Sequence, residues 1–336
     1  MEAPSLALYL FGMSGGRIFS MADQTVATNG ALDAGGVRID PGFLMRRRVK
    51  DLLARFILFL SASVSVFVSA AIVYILISES LSFFEVVSLW DFLTDTQWTP
   101  LFTDAHYGIL PLLSATLIVS GIALLVAVPA GTVLAVYLSE YAPPKLREGL
   151  KPVLELLGGV PTVIYGYFAL LFVTPMLQTF MPGLNGFNML APGLVMGVMI
   201  LPYVVSVSED AMRAVPDTLR EGAYALGFSR FHTAIRVVIP GALSGITAAY
   251  ILGMSRAVGE TMVVAIAAGQ NPNFTLDPTE GAATMTAYIV QVSLGDLPHG
   301  SIGYQTIFAV GLTLFLITLL FNIAGFWLRR RFREVY

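Results

Sequence analysis

Six long apolar stretches, separated by loops rich in proline, glycine, asparagine and charged residues, constrain this chain more than any other feature. A helix needs roughly 20 apolar residues to cross the hydrocarbon core of a bilayer. We predict spans near 53–77, 112–138, 153–174, 189–207, 241–268 and 305–328. Charged residues make up only 12% of the chain, which is too little to cover a water-facing surface. The sequence therefore predicts an all-α, polytopic membrane protein with six transmembrane helices.

Basic residues alternate between the predicted loops. The loops near 78–111, 175–188 and 269–304 contain no lysine or arginine. Basic residues lie instead before the first span and after the second, fourth and sixth spans. They are Arg46, Arg47, Arg48, Lys50, Lys145, Arg147, Lys151, Arg213, Arg220, Arg230, Arg236, Arg329, Arg330, Arg331 and Arg333. Because loops rich in lysine and arginine stay in the cytoplasm, this alternation predicts that both termini are cytoplasmic.

The first part of the chain differs from the rest in composition. Residues 1–40 are polar and rich in glycine and alanine, so we predict a disordered cytoplasmic tail over 1–45 and a transmembrane domain over 46–336. The chain has no cysteine, which excludes disulfides and thiolate metal sites. Its three histidines are far apart in sequence, and no metal site is predicted.

The cytoplasmic loop at about 212–240 has the pattern of two short amphipathic helices joined by a bend. Pro216 suits a first helical position, and Gly227 can adopt the left-handed conformation that ends a helix. Ser229 is a candidate N-cap for the second helix. Apolar residues recur at helical spacing in both segments. Taken alone, the pattern also fits helices that lie on a membrane surface.

The spacing within this loop resembles the EAA signature of ABC importer permeases, which reads Glu-Ala-Ala, three residues, Gly, nine residues, Ile-x-Leu-Pro. Here it reads Glu221-Gly222-Ala223, then Gly227, then Val237-Val238-Ile239-Pro240, with conservative departures at three positions. The resemblance implies the MetI-like architecture of type I importers. It also implies that this loop is the coupling helix, which docks on a separate ATPase subunit through Glu221, Gly222, Ala223 and Gly227.

The chain lacks the phosphate-binding loop G-x-x-x-x-G-K-[ST]. We therefore expect no catalytic residue and no cofactor on this chain, with ATP and magnesium bound by the partner ATPase. The chain would be a transport subunit and not itself an enzyme.

Two ionisable residues, Arg256 and Glu260, fall within the predicted fifth span. Their i,i+4 spacing predicts that both side chains lie on one face of the helix. A charged residue at membrane depth should face the protein interior or an aqueous cavity. The residues alone leave two interpretations open, an internal ion pair and a cationic site on an oxyanion pathway, where a guanidinium matches phosphate geometry.

The segment Ser255–Met262 resembles the R-A-x-G-E-T motif of phosphate permeases of the PstC and PstA type, and is closer to PstC. This resemblance implies phosphate as the cargo, with Arg256, Glu260 and Thr261 on its pathway. Gly159–Gly166 resembles a G-V-P-[ST] stretch shared by both types.

Within that stretch Pro161 should kink the third span. Pro161 and Thr162 are then a candidate gate or an ordinary packing kink.

The resemblance also implies partners. They are a PstA-like permease subunit, a PstB-like ATPase dimer, a periplasmic phosphate-binding protein and the lipid of a bacterial inner membrane, with no nucleic acid. The alternatives are an ABC permease for molybdate, sulfate or phosphonate, and an ion-driven carrier or channel. A membrane-bound enzyme is a further alternative that lacks any clustered catalytic set.

Overall fold

The computed structural model describes residues 41–295 and 297–331, and the regular elements within these ranges are helices. One isolated antiparallel bridge joins Trp98 to Tyr107. The predicted all-α class is confirmed. Most of the predicted tail, residues 1–40, lies outside the described residues. The first helix begins at Pro41, and proline is a favourable residue at a helix start. Residues 41–45, which were predicted to belong to the tail, are therefore helical.

Fourteen helices follow in chain order within the described ranges. They are α1 Pro41–Phe84, α2 Leu89–Thr94, α3 Leu110–Val136, α4 Pro144–Gly159, α5 Thr162–Phe168, α6 Thr174–Phe180, α7 Leu190–Arg213, α8 Asp217–Ala225, α9 Arg230–Thr233, α10 Ile239–Gly241, α11 Leu243–Val258, α12 Met262–Ala267, α13 Met285–Ser293 and α14 Ile302–Arg331. Short π-helical turns extend α3 over Tyr137–Tyr141, join α5 to α6 over Ala169–Val173, and join α9 to α10 over Ala234–Val238.

Five helical segments among the described residues are long and apolar enough to cross a membrane: Met45–Phe84, Leu110–Tyr141, Thr162–Phe180, Leu190–Arg213 and Ile302–Arg331. A sixth is formed if the pair Arg230–Gly241 and Leu243–Val258, bent by 72°, counts as one span. The number and chain order of these segments agree with the six predicted spans. The third and fifth spans differ from the prediction in detail.

The third span was predicted over 153–174, but the structure has a break inside that range. Helix α4 ends at Gly159, and the apolar segment runs from Thr162 to Phe180. Val160 is extended, with φ −68° and ψ 130°, because the residue before a proline avoids the helical region. Pro161 therefore separates two helices instead of kinking one.

The fifth span was predicted as one helix over 241–268, and it is also broken. Helix α11 ends at Val258, and α12 begins at Met262. The carboxylate of Glu260 accepts hydrogen bonds from the backbone N–H groups of Met262 (3.1 Å) and Val263 (3.4 Å). Those N–H groups open α12 and have no partner within it, so Glu260 acts as its cap.

The centre of the unit formed by residues 72–336 is the packing of α7 against α3. Two glycines of α7 allow the helices to approach closely. A Cβ on Gly193 would lie 2.8 Å from Ile122, and a Cβ on Gly197 would lie 2.7 Å from Val126. Small residues serve the same purpose in membrane helix pairs generally. Helix α11 packs on α7, and α14 packs on α11.

A second apolar cluster lies where α13 packs against α14 and the loop before α3. Trp98 packs edge-on against Tyr288, with ring centroids 5.1 Å apart. The Tyr288 hydroxyl is hydrogen-bonded to that of Thr306 at 2.7 Å. The backbone N–H of Met285 donates to Thr116 of α3. Helix α13 is therefore held inside the protein by polar as well as apolar contacts.

Candidate functional site

Arg256 occupies the last turn of α11, and its guanidinium is held on an aromatic face. The guanidinium carbon lies 4.5 Å from the centroid of the Tyr203 ring, which belongs to α7. The Nε atom of Arg256 is buried and has no hydrogen-bond partner among the described residues. A cation–π contact of this kind fixes the plane of the guanidinium without using its N–H donors. Arg256 is thus oriented, and it retains donors for an anion.

The prediction that Arg256 and Glu260 share one face of a continuous helix is wrong, and the structure, over the residues it describes, does not show the internal ion pair that was one of the two open interpretations. The helix ends between the two residues, and within the described part of the chain no salt bridge joins them. The Glu260 carboxylate caps α12, and its backbone carbonyl accepts a hydrogen bond of 2.7 Å from the hydroxyl of Thr286. The hydroxyl of Thr261 donates to the carbonyl of Gly259 at 3.3 Å. Both residues therefore stabilise the break.

The candidate gate lies at the end of α4 that approaches Tyr203. A Cβ on Gly158 would lie 3.4 Å from the Tyr203 hydroxyl oxygen. Beyond the break, the hydroxyl of Tyr165 in α5 donates a 2.7 Å hydrogen bond to the carbonyl of Leu157. Pro161 is exposed and Thr162 is half-buried. Pro161 and Thr162 thus lie at the junction of α4 and α5, which Gly158 and the Tyr165–Leu157 hydrogen bond flank.

The loop after α7 folds into the two-helix elbow that the sequence predicts. Helix α8 ends before Gly227, whose φ of +82° favours glycine. The N–H groups of Gly227 and Phe228 donate to the carbonyls of Tyr224 and Ala223, which closes the C-terminal turn. Ser229 caps the next helix by accepting a hydrogen bond from the N–H of His232.

The four predicted coupling residues face different ways on this elbow. Glu221, Gly222 and Gly227 are exposed, whereas Ala223 is only 6% exposed and packs inward. At the tip, the apolar side chain of Leu226 is 79% exposed. The elbow therefore presents a surface with a polar edge and an apolar tip, and Ala223 belongs to its base.

Sequence reasoning did not identify two residues that the structure places at these sites. Tyr203 was counted only as part of an apolar span, and Arg220 only as a basic loop residue. The signal for Tyr203 lies in its polar ring within a membrane segment, but its pairing with Arg256 depends on the packing of α7 against α11. Arg220 lies at the base of the elbow, and its side chain is partly buried, with 13% exposed.

The chain resembles characterised families by sequence. The profile of the family described as "Binding-protein-dependent transport system inner membrane component" matches residues 127–334, more than half of the chain. The protein named "Probable ABC transporter permease protein YqgH" of Bacillus subtilis is 35% identical over 82% of this chain and 89% of its own length. The phosphate transport system permease protein PstC of Mesorhizobium japonicum is 34% identical over 72% of this chain and 79% of its own length.

Solved structures support the fold. A subunit of a bacterial ABC transporter that imports the polysaccharide alginate covers 86% of this chain and 100% of its own, with a TM-score of 0.60 and 17% identity. A subunit of the MetNI methionine ABC transporter covers 68% and 95%, with a TM-score of 0.51 and 19% identity. Both show the MetI-like arrangement that the EAA resemblance implied. The chain belongs to the family of binding-protein-dependent transport system inner membrane components and is the permease subunit of an ABC importer.

Proposed function

We propose that this permease carries phosphate, and that Arg256 is the residue on its pathway that meets the anion. The observation that carries the proposal is the state of Arg256, oriented by Tyr203 and left with a buried Nε that has no partner among the described residues. This residue stands in the segment that resembles the R-A-x-G-E-T motif. Relatives named as phosphate transport system permeases support the same cargo.

The chemistry of the guanidinium fits an oxyanion. Its planar fork offers parallel N–H donors to two oxygens of one phosphate. A partly buried cation also attracts an anion more strongly than an exposed one, because less water screens it. The Glu260 carboxylate caps α12 and, among the described residues, forms no salt bridge with Arg256. In this proposal Glu260 and Thr261 shape the pathway by holding the break, and Arg256 binds.

Pro161 and Thr162 are proposed as the gate. The break before α5 lies beside Gly158, which approaches Tyr203. A rotation of α5 about this connection would move the hydrogen bond between Tyr165 and Leu157 and change access to the guanidinium. Hinges commonly fall at such junctions, where few backbone angles absorb the motion.

Glu221, Gly222, Ala223 and Gly227 are proposed to form the coupling element. The exposed edge and apolar tip of the elbow suit a helix that docks in a groove of another subunit. In the assembly we propose, a PstA-like permease pairs with this chain, two PstB-like ATPase subunits bind ATP and magnesium, and a periplasmic phosphate-binding protein delivers the cargo. Both termini would lie in the cytoplasm, as the basic loops predict.

Uptake of labelled phosphate by the reconstituted complex tests the cargo. We expect Arg256→Gln to abolish uptake while the complex still assembles, because glutamine keeps a polar side chain but loses the charge. Arg330→Gln, at the cytoplasmic end of α14, is the matched control and should transport normally. Normal uptake by Arg256→Gln would remove the residue from the pathway.

Another oxyanion is the second candidate, because a single guanidinium binds sulfate or molybdate by the same geometry. Competition separates the two. Unlabelled phosphate in excess should suppress uptake of labelled phosphate, whereas equal excesses of sulfate and molybdate should leave it unchanged. If sulfate or molybdate suppresses the uptake of labelled phosphate and unlabelled phosphate does not, the cargo would be reassigned to that oxyanion. The assignment of the permease fold would be unaffected.

A further inference from the structure

We infer that Arg220 and Glu140 form a pin that transmits the movement of α8 to the cytoplasmic ends of α3 and α7. The inference rests on the proposed docking of α8 on an ATPase subunit, and it adds the residues that carry the motion into the membrane. Neither residue belongs to the EAA pattern. The inference depends on the hydrogen bonds of one partly buried guanidinium.

The Arg220 guanidinium is bonded on both of its outer nitrogens. Nη2 donates to the carbonyl of Met212 at 2.8 Å and to the Glu140 carboxylate at 3.3 Å. Nη1 donates to the carbonyl of Val215 and to the Asp217 carboxylate at 3.0 Å. The acceptors come from the last turn of α7, the loop after it, the start of α8 and the π-helical turn that extends α3. One side chain therefore joins four segments.

The pin compensates for the weak packing of α8 itself. Within α8, which is described in full, Ala223 is the residue that is buried. A helix held by so little apolar contact would move independently when a partner pushes on it. Arg220 bonds to Met212 and Val215 across the corner between α7 and α8, where the last carbonyls of a helix lack internal partners. A cation also suits the negative end of the α7 dipole.

Glu140 extends the connection to α3. Its side chain is 5% exposed, and the same carboxylate oxygen that meets Arg220 also accepts a 2.9 Å hydrogen bond from the hydroxyl of Ser139. An ion pair this well shielded is screened little by salt. Removing one partner leaves a buried charge uncompensated, so the pair resists separation when α8 is displaced.

The route from the pin to Arg256 is short. Arg220 is bonded to the end of α7, and α7 carries Tyr203, on which Arg256 rests. Helix α3 is locked to α7 at Gly193 and Gly197, where the two backbones approach closely. Displacing the α7–α8 corner therefore moves the ring that orients the guanidinium.

Lysine can replace arginine only in part at this position. Four acceptors surround a planar fork, and a lysine ammonium is a single point donor on a flexible stem. The same cytoplasmic cleft contains Arg147, for which no ion pair or side-chain hydrogen bond is found among the described residues. Arg147 thus offers a matched control of the same charge in the same surroundings.

The test compares four variants of the complete complex in proteoliposomes: Arg220→Met, Arg220→Lys, Glu140→Gln and Arg147→Met. ATP hydrolysis and phosphate uptake are measured on the same sample, together with the amount of ATPase subunit that co-purifies. We expect uptake per ATP to fall by about tenfold in Arg220→Met, and by less in Arg220→Lys and Glu140→Gln, because they retain part of the hydrogen bonding. ATP hydrolysis and subunit stoichiometry should persist, and Arg147→Met should match the unmodified complex.

The outcomes separate this inference from the proposed function. An unchanged uptake-to-hydrolysis ratio in both Arg220→Met and Glu140→Gln would overturn the pin. Loss of the ATPase subunit from Arg220→Met would also overturn it, because Arg220 would then belong to the docking surface. Failure of the unmodified complex to retain an ATPase subunit, or to take up phosphate, would refute the proposed function instead. The double variant Arg220→Met/Glu140→Gln should be no worse than Arg220→Met alone, since both changes break one link.

Discussion

Tyr203 contributes to the candidate site through the face of its ring and not through its hydroxyl group. The ring centroid lies 4.5 Å from the Arg256 guanidinium carbon. Such contacts are worth roughly 0.5–2 kcal/mol, depending on how far the pair is removed from water. The orientation of Arg256 therefore depends on an aromatic face at position 203.

We predict that Tyr203→Leu lowers phosphate uptake by about tenfold, whereas Tyr203→Phe stays within about twofold of the unmodified protein, because phenylalanine keeps the ring face. Initial uptake rates at saturating binding protein and ATP give the comparison. Equal loss in both variants would mean that the hydroxyl, and not the ring, is what matters.

A second residue-scale prediction concerns pH and the loop before α3. His106 Nδ1 lies 2.8 Å from a carboxylate oxygen of Asp95. The hydrogen bond with Asp95, assisted by the charge of Asp104, holds the pKa of His106 above its ordinary value of 6.5. For Asp95, partial burial acts to raise the pKa, but the bonds with His106 and the Gln97 N–H together hold it below 3.8.

The direction in which stability changes with pH follows from the raised pKa of His106. The protonated histidine stabilises the fold fully below its unfolded pKa, and this contribution is lost as pH rises through the folded pKa. We predict that the unmodified protein melts at a higher temperature than His106→Gln near about pH 5.5, and that the difference shrinks above about pH 8. Thermal melting of the purified protein across this range gives the measurement. A difference that grows toward alkaline pH would contradict the assignment.

At the scale of helices, hydropathy predicted the number and order of the spans, but it did not predict the breaks that local backbone hydrogen bonding and proline introduce. The span from Leu190 to Arg213 was predicted nearly as observed, because uniform apolar length carries that information. The break at Gly259–Thr261 was missed, because the apolar stretch over 241–268 is long enough to cross the membrane as one helix. Glu260 stabilises the start of α12 by capping it, and this contact depends on side-chain geometry that the sequence does not show.

The break before α5 was partly predictable. Pro161 was recognised as a disturbance, but the choice between a kink and a full interruption depends on Val160, which becomes extended. The preference of residues before proline for that conformation was available from the sequence. In the candidate site, Arg256 and the glycine elbow were found by pattern, whereas Tyr203 and Arg220 required knowledge of which helices touch.

The contact between α3 and α7 gives the helix-scale prediction. A Cβ on Gly197 would lie 2.7 Å from Val126 and 3.0 Å from the backbone carbonyl oxygen of Ala123, which cannot move without shifting α3. We expect Gly197→Val to destabilise the protein by about 1–3 kcal/mol, the usual cost of overpacking. Melting in detergent measures the loss.

Gly121, also within a membrane helix, is the matched control for this contact. A Cβ there meets nothing within 4 Å among the described residues. Gly121→Val should therefore melt close to the unmodified protein, since the change in helix propensity is the same at both positions. Equal destabilisation by the two substitutions would show that propensity, and not the close approach of α3 and α7, explains the loss.

For the whole molecule, the distribution of charge and the helical order point to one orientation in the membrane. Most of the basic residues lie in the first part of α1, in α4, in the elbow and in the last turn of α14, and Arg220 of the pin is one of them. The loop before α3 and α13 carry none. We therefore predict that a partner that hydrolyses ATP meets the basic side and that a periplasmic binding protein meets the other side.

The absence of cysteine from the sequence makes this orientation directly testable. Glu148 in α4 and Phe102 in the loop before α3 are both exposed, so a single cysteine at either position should react with a thiol reagent. In spheroplasts, a membrane-impermeant maleimide should label Phe102→Cys at once and Glu148→Cys only after permeabilisation, because basic loops remain cytoplasmic. The unmodified chain, which has no thiol, sets the background. Immediate labelling of Glu148→Cys would place α4 outside, and the elbow would then be unable to meet an ATPase in the cytoplasm.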